Sequence, residues 1–321
     1  MKRFLDWTPK ELAKMDRQSF LDSIRASECR VVGAYVCPKS MNYVEKVSNI
    51  ETVASFGADF ITLEGYDPKN LQMPGLPSKD ITKDSPYKEL LQADMGFGWT
   101  IQELKELVGR PIGTNLMITL TEDEDLGYLY GKNVCSKEMI EYIISQKYDF
   151  IALGAIRTDE SAMKVVLEAL KQAKEIAGDR IVIGYGIPHG SFTVDAPYNL
   201  REVVTPEIVS EIIKTGVDII ELPAVGVIPG FTQEYVSKLV DIIHNGNVLA
   251  SCNIAHSIEG SDSYTVKHVV LENKPCGFDI LNVAAGGIFE SIPLPEVLMD
   301  ICITTKGKRH TYRRMCQSPK R

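Results

Sequence analysis

Apolar residues along this chain recur at two alternating spacings. Short runs with a period of two are rich in Val, Ile and Phe: Arg30–Val36, Phe60–Glu64, Ile112–Thr119, Phe150–Ile156, Ile181–Gly186, Asp218–Leu222, Val248–Asn253 and Phe278–Val283. Between them lie stretches of helical period near Val44–Phe56, Thr100–Val108, Lys137–Gln146, Ser161–Ala177, Thr205–Thr215, Gln233–His244 and Tyr264–Glu272. Start signals support several of these helices: Ser136 before Lys-Glu, and Thr205-Pro206-Glu207. Gly57-Ala-Asp59 and Gly216-Val-Asp218 read as helix stops followed directly by a strand. An earlier helix is signalled by Thr8-Pro9-Lys10-Glu11 and is expected to run to about Arg25, closing one end of the fold. Eight β–α alternations predict a parallel sheet with right-handed crossovers, closed as a (β/α)8 TIM barrel with an N-terminal capping helix. An open doubly wound sheet is the alternative, but no GxGxxG turn follows the first strand. The expected organisation is one barrel domain over residues 1–305 and a basic C-terminal tail over 306–321, with no internal repeat.

Two connections are long. Gly65–Trp99, after the second strand, is rich in Pro, Gly, Asp and Lys and is expected to lie over the barrel mouth as a lid. Thr121–Cys135, after the third, carries Glu122, Asp123, Glu124 and Asp125.

Side chains on a barrel strand alternate between the helix layer and the barrel axis. The second strand sets Ile61 and Leu63 against Thr62 and Glu64, and the third sets Ile112, Leu116 and Ile118 against Gly113, Asn115 and Met117. The sixth sets Ile220 and Leu222 against Glu221, and the eighth sets Leu281 and Val283 against Asn282. In the seventh, Leu249 is taken as facing away from Ser251 and Asn253. Polar residues thus collect on the inward parity near strand C-termini, where barrel enzymes do their chemistry. A barrel needing only stability would place Val, Ile and Leu there.

Glu64 and Glu221 are candidates for general base, metal ligand or structural anchor. His189 and His256, after the fifth and seventh strands, are candidate proton donors. Asn115, Asn253 and Asn282 suit hydroxyl or oxyanion contacts, and Arg157 suits an anionic group or a salt bridge to Asp159 or Glu160. Barrels commonly hold phosphate in the loops after strands seven and eight. Those loops here contain Ser257, Gly260 and Ser261, then Gly286 and Gly287, the expected anion cradle. No lysine lies within the inward set, which disfavours an imine-forming aldolase route. The cofactor is undetermined; a divalent metal, Mg or Mn, held by Glu64, Glu221 and His256 is the variant for a lyase.

Composition narrows the setting. The residues from Lys306 onward carry seven positive charges and no acid, so the rest of the chain would stand at −15 rather than the overall −8. An acidic body argues against nucleic acid as a partner. No apolar run approaches the ~20 residues of a bilayer span. Seven cysteines without a CxxC pair read as reduced thiols, placing the protein in the cytoplasm, with homo-oligomerisation left open.

The order Gly57-Ala-Asp-Phe-Ile-Thr-Leu-Glu64-Gly, Arg110-Pro-Ile-Gly-Thr-Asn115-Leu and Tyr148-Asp-Phe-Ile-Ala resembles the central part of BtpA-like barrels. It is also similar to phosphate-binding barrels such as tryptophan synthase α chains and sugar-phosphate epimerases. The whole chain resembles a bacterial barrel family that sometimes carries a haloacid-dehalogenase-like label. Asp123-Glu-Asp125-Leu-Gly lacks the hydroxyl or valine position of that nucleophile turn, so no phosphatase role follows. No family's full catalytic set maps onto the chain, and no residue role is carried over. Two readings remain. One is an enzyme moving a proton next to a carbonyl of a small anionic, sugar-like metabolite, as an isomerase, epimerase or aldolase-type lyase. The other is a non-catalytic ligand-binding or regulatory barrel.

Overall fold

A computed structural model describes residues 1–83, 94–120, 133–157, 159–188, 201, 204–286 and 291–321. Eight parallel strands close into a barrel in sequence order: β1 Val31–Val36, β2 Phe60–Leu63, β3 Ile112–Met117, β4 Phe150–Gly154, β5 Val182–Gly186, β6 Ile219–Pro223, β7 Leu249–Ile254 and β8 Ile280–Val283. Around them the described helices are α1 Pro9–Leu12, α2 Arg17–Arg25, α3 Asn49–Ser55, α4 Ile101–Val108, α5 Lys137–Ser145, α6 Glu160–Ala177, α7 Pro206–Lys214, α8 Gln233–Asn245, α9 Ser263–Asn273 and α10 Pro295–Cys316. No helix among the described residues is long and apolar enough to cross a membrane.

The N-terminal helix expected as one piece is two. Thr8 and Glu11 form a reciprocal capping box, but α1 ends after one turn and Asp16 caps α2 by accepting from the Ser19 backbone. The break lets α2 cross the base of the barrel and insert Phe20 among the inward side chains. Phe20 stacks on Phe150 at 5.7 Å and meets Phe4 and Phe60 edge-on at 5.8 Å. With Val31, Val182, Leu249 and Ile280 these rings form an apolar floor. Leu249 therefore points inward, on the same parity as Ser251, which corrects the outward reading given to it above. Gly33 and Gly113 make room for the floor: a Cβ on Gly113 would lie 2.3 Å from the Phe150 ring, and one on Gly33 2.4 Å from that of Phe60.

An aspartate stands immediately before each even strand. The carboxylates of Asp59, Asp149, Asp218 and Asp279 accept the backbone N–H of Val32, Ile112, Ile183 and Ala250 at 2.8–3.0 Å, each on the preceding strand. The same residues are paired in reverse, each aspartate N–H donating to that partner's carbonyl at 2.7–2.9 Å. Two positions before each aspartate the chain turns through positive φ, at Gly57, Lys147, Gly216 and Gly277. Each carboxylate also has a basic partner: Lys306 and Arg314 on Asp59, Lys105 on Asp149, Arg17 and Lys174 on Asp218, and on Asp279 His244, a cation when protonated. This is a fourfold structural recurrence, where the sequence reading found no repeat.

Helix α10 runs across the position at which barrel and basic tail were divided. It bends at Gly307 (φ 77°), and Lys306 and Arg314 both turn inward. Lys306 and Asp59 are 0% exposed and 2.5 Å apart; Arg314 Nε donates to the other Asp59 oxygen at 3.0 Å and its Nη atoms to the Phe4 and Trp7 carbonyls. Arg110 is also buried and donates to five backbone carbonyls, among them those of Ala58 and Arg314.

The described part of the Gly65–Trp99 connection packs on the outer rim. Tyr66 hydrogen-bonds Thr114 and Tyr148 at 3.0 and 2.8 Å, and Gly75 abuts the Val47–Ser48 backbone before α3. Residues 84–93 of the expected lid lie outside the described residues.

Candidate active site

Above the aromatic floor the inward positions turn polar, as the alternation of strand side chains predicts. Register sets Glu221 of β6 between Gly186 of β5 and Ser251 of β7, and Asn282 of β8 beside Asn253 of β7. Glu221 is 7% exposed, and among the described residues its oxygens are held by neutral groups. The Tyr35 hydroxyl donates to Oε1 at 3.0 Å, the Ser251 hydroxyl donates to Oε2 at 3.0 Å, and Asn282 Nδ2 also donates to Oε2. Asn253 is a further hydrogen-bonding neighbour. Burial raises the Glu221 carboxyl above its usual range, and these donors offset part of that.

Glu64 extends β2 by one residue, its N–H donating to the Val36 carbonyl at 3.0 Å. It is half-buried, and no hydrogen bond or ion pair to its carboxylate is found among the described residues. Burial, and then the charge of Glu221, push its pKa up to about 7. Glu64, on the inward parity expected for both glutamates, is therefore near enough to Glu221 to feel its charge. Tyr35 senses both: burial first, then Glu221 and Glu64, drive its pKa well up, so it stays a neutral donor.

The asparagines divide. Asn282 and Asn253 belong to the glutamate network, and the Oδ1 of each is buried with no partner among the described residues. Asn115 ties β3 to β4, donating to the Ala152 carbonyl at 3.1 Å while Asn133 donates to its own carbonyl. Arg157 pairs with Asp159 at 2.9 Å, the salt bridge weighed as its alternative role. His256 is half-buried with φ 57°, and burial lowers its pKa toward the neutral imidazole. His189 lies outside the described residues.

The loop pair expected to cradle an anion holds one of its own. Glu259, 6% exposed, takes backbone hydrogen bonds from Ser257 and from itself, and burial raises its pKa. Its Oε1 packs against Gly286, where a Cβ would come within 1.7 Å of it, and its Oε2 has no partner among the described residues. Ser261 turns its hydroxyl to the Ile258 carbonyl at 2.8 Å, while Ser257 and Gly260 are exposed. A negative group in this position works against a second anion beside it. Gly287 lies outside the described residues.

No group of three His, Cys, Asp or Glu side chains able to hold a metal is found among the described residues, so Glu64, Glu221 and His256 do not form the expected three-ligand set there. The strands also place no lysine on an inward position. Tyr35, Glu259 and the small residues Gly184 and Gly186 are the members of the site that sequence reasoning missed.

Fold and site together define a (β/α)8 barrel with a carboxylate pair at the C-terminal ends of its strands. The chain belongs to the family described as a domain of unknown function (DUF7916), whose model matches residues 5–321. No curated protein matches it in sequence. Among solved structures it is similar to a fructose-1,6-biphosphate aldolase candidate from Coccidioides immitis, with TM-score 0.50 and 13% identity over 94% of this chain and 99% of that one. It is also similar to the YdjI aldolase from Escherichia coli K12 (TM-score 0.46, 11% identity, 95% and 98% covered). A third is the thiamine phosphate pyrophosphorylase from Pyrococcus furiosus (TM-score 0.44, 13% identity, 87% and 96% covered). At these identities the likeness is one of fold alone.

Proposed function

We propose that the protein is an enzyme that moves a proton next to a carbonyl group of a small metabolite, as an isomerase, epimerase or aldolase-type lyase. The observation that carries this reading is the unequal glutamate pair. Glu221 is fixed by neutral donors and acts as a stationary negative charge. Glu64 has no such anchors and a pKa near 7, the value a group needs to accept and return a proton at neutral pH. In the step proposed, the Glu64 carboxylate takes the proton from the carbon beside the carbonyl. The C–H electron pair moves into the carbon–carbon bond and charge collects on the carbonyl oxygen. Return of the proton to the same carbon on its other face, with the electron pair going back from oxygen, completes an epimerisation. Return to the former carbonyl carbon, with the hydroxyl proton of the adjoining oxygen passing to the former carbonyl oxygen, completes an isomerisation.

The test is an NMR titration of the Glu64 side-chain carboxyl carbon. A midpoint near 7 that falls when Glu221 is replaced by Gln supports the pair; a midpoint in the ordinary carboxylate range ends this reading. Binding of a metabolite without turnover, in a protein whose Glu64 does titrate near 7, would favour the non-catalytic barrel.

A further inference from the structure

Directly beneath Glu221 the barrel contains a cavity of about 40 Å³. Its floor is the ring cluster of Phe20, Phe60 and Phe150, and one wall is bare because Gly184 and Gly186 carry no side chains. A Cβ on Gly186 would lie 3.7 Å from Glu221 Oε1, so this glycine leaves space beside the carboxylate without being forced by contact or by positive φ. Glu221, beside Gly186 on the neighbouring strand, and Asn282 also line it. Asn282 is 7% exposed and has already committed its Nδ2 to Glu221 and Ser251, so its unpartnered Oδ1 can only accept.

Among the buried groups left without partners around the glutamate network, Asn282 Oδ1, Asn253 Oδ1 and, in the neighbouring loop, Glu259 Oε2 accept, while the Tyr185 hydroxyl of the cavity lining can accept as well as donate. Glu221 and Glu64 add negative charge, and no lysine or arginine among the described residues is paired with either. A buried acceptor without a donor is costly, and a native site that keeps several of them is complementary to something that donates. The volume suits a group about the size of a water molecule.

We propose that the cavity between Gly186, Glu221 and Asn282 is a subsite for a primary ammonium group, and that the ligand of this barrel is a small amine-bearing metabolite. An ammonium offers three donors and one positive charge in a compact volume, whereas a planar guanidinium is too large for the space. This replaces the anionic ligand expected from the sequence, since Arg157 is paired with Asp159 and the loop after β7 already holds Glu259. The inference rests on the acid–base reading and deepens it. It requires that a ligand with its ammonium on Glu221 carry its adjoining carbon toward Glu64.

The experiment uses the whole chain and methylammonium as probe, with tetramethylammonium and inorganic phosphate as matched-ionic-strength controls. Side-chain NMR signals of Asn282 and Tyr35 are followed, and Glu64 is titrated separately without probe. A two-heavy-atom probe should saturate only in the range of roughly 10–100 mM. The expected result is a saturable shift with methylammonium and none with tetramethylammonium, which does not fit. In Gly186→Ala, whose Cβ makes only ordinary contacts, the half-saturation concentration should rise at least about tenfold. Glu221→Gln should weaken the probe by a similar factor. Equal shifts from both ammonium ions, a saturable response to phosphate or Mg²⁺ but not to methylammonium, or unaltered binding in Gly186→Ala would each overturn the proposal. A Glu64 midpoint near 7 with no methylammonium response removes the ammonium subsite and leaves the acid–base reading standing; an ordinary midpoint removes the reading beneath it.

Discussion

The two ends of this barrel treat carboxylates in opposite ways. At the N-terminal end, Asp59, Asp149, Asp218 and Asp279 each take a backbone N–H from the preceding strand and sit beside a positively charged or chargeable side chain. At the C-terminal end, Glu64 lies within reach of the charge of Glu221, with neutral donors on Glu221 and, among the described residues, none on Glu64. Burial taxes both sets. Each aspartate has a charged or chargeable partner, although at Asp149 burial outweighs Lys105 and lifts the pKa to about 6, whereas no cation is paired with either glutamate among the described residues. The cost left standing at the mouth marks where the molecule has given up stability, a trade that the proposed acid–base role of Glu64 would explain.

The comparison is broken most forcefully at Asp59. Asp59→Asn leaves Lys306 and Arg314 buried without their counter-charge and should cost about 3–5 kcal/mol, measured by urea unfolding. A loss under about 1 kcal/mol would mean that the N-terminal set is not the compensated one.

Glu64→Gln should do the reverse. Turnover, once a substrate is found, should drop by about 10²–10⁴-fold, while stability at pH 7 should hold or rise by up to on the order of 2 kcal/mol.

The pH dependence of stability sharpens the same contrast. Glu64 has a folded pKa raised to about 7, so the folded state binds its proton more tightly than the unfolded chain. Its contribution to stability is present below the ordinary glutamate range and falls away as pH rises to about 7. The wild-type protein should thus lose stability between about pH 4.5 and 7 relative to Glu64→Gln, by unfolding measured at several pH values. Asp59 has a lowered pKa: burial opposes the shift, and Lys306 and Arg314 outweigh it. Its contribution is present above the ordinary aspartate range and is lost as pH falls through the lower folded value.

The smallest effect belongs to the weakest partner in the N-terminal set. His244 is 40% exposed and its pKa is raised by its hydrogen bond to Asp279. His244→Ala should cost no more than about 1 kcal/mol. The loss should appear in full below the unfolded histidine pKa and vanish as pH rises through the folded one.

Much of this was legible in the chain. The strands fall within two residues of their predicted starts because β-branched runs bounded by Gly-x-Asp turns leave little choice of register. Glu64 and Glu221 were legible because the alternation of strand residues is a local property. Tyr35 was not, since Val31–Val36 is apolar on both parities and nothing in the run singles out its one hydroxyl. Glu259 escaped because its burial comes from Gly286, distant in sequence. The four aspartates were hidden by unequal insertions: they lie 90, 69 and 61 residues apart, so no period connects them. The helix break before Asp16 lost to an apolar spacing that continues across it.

The pairing at Asp59 also sets an order of events during synthesis. Lys306 and Arg314 lie 247 and 255 positions further along the chain. At ribosomal speeds of about 5–20 residues per second, the residues that neutralise Asp59 follow it by roughly 12–50 seconds. Through that interval the nascent β1–β2 segment carries an acid it cannot bury as a charge. The native seat of Asp59 therefore waits for the last helix, and until then the growing chain must remain open at its base.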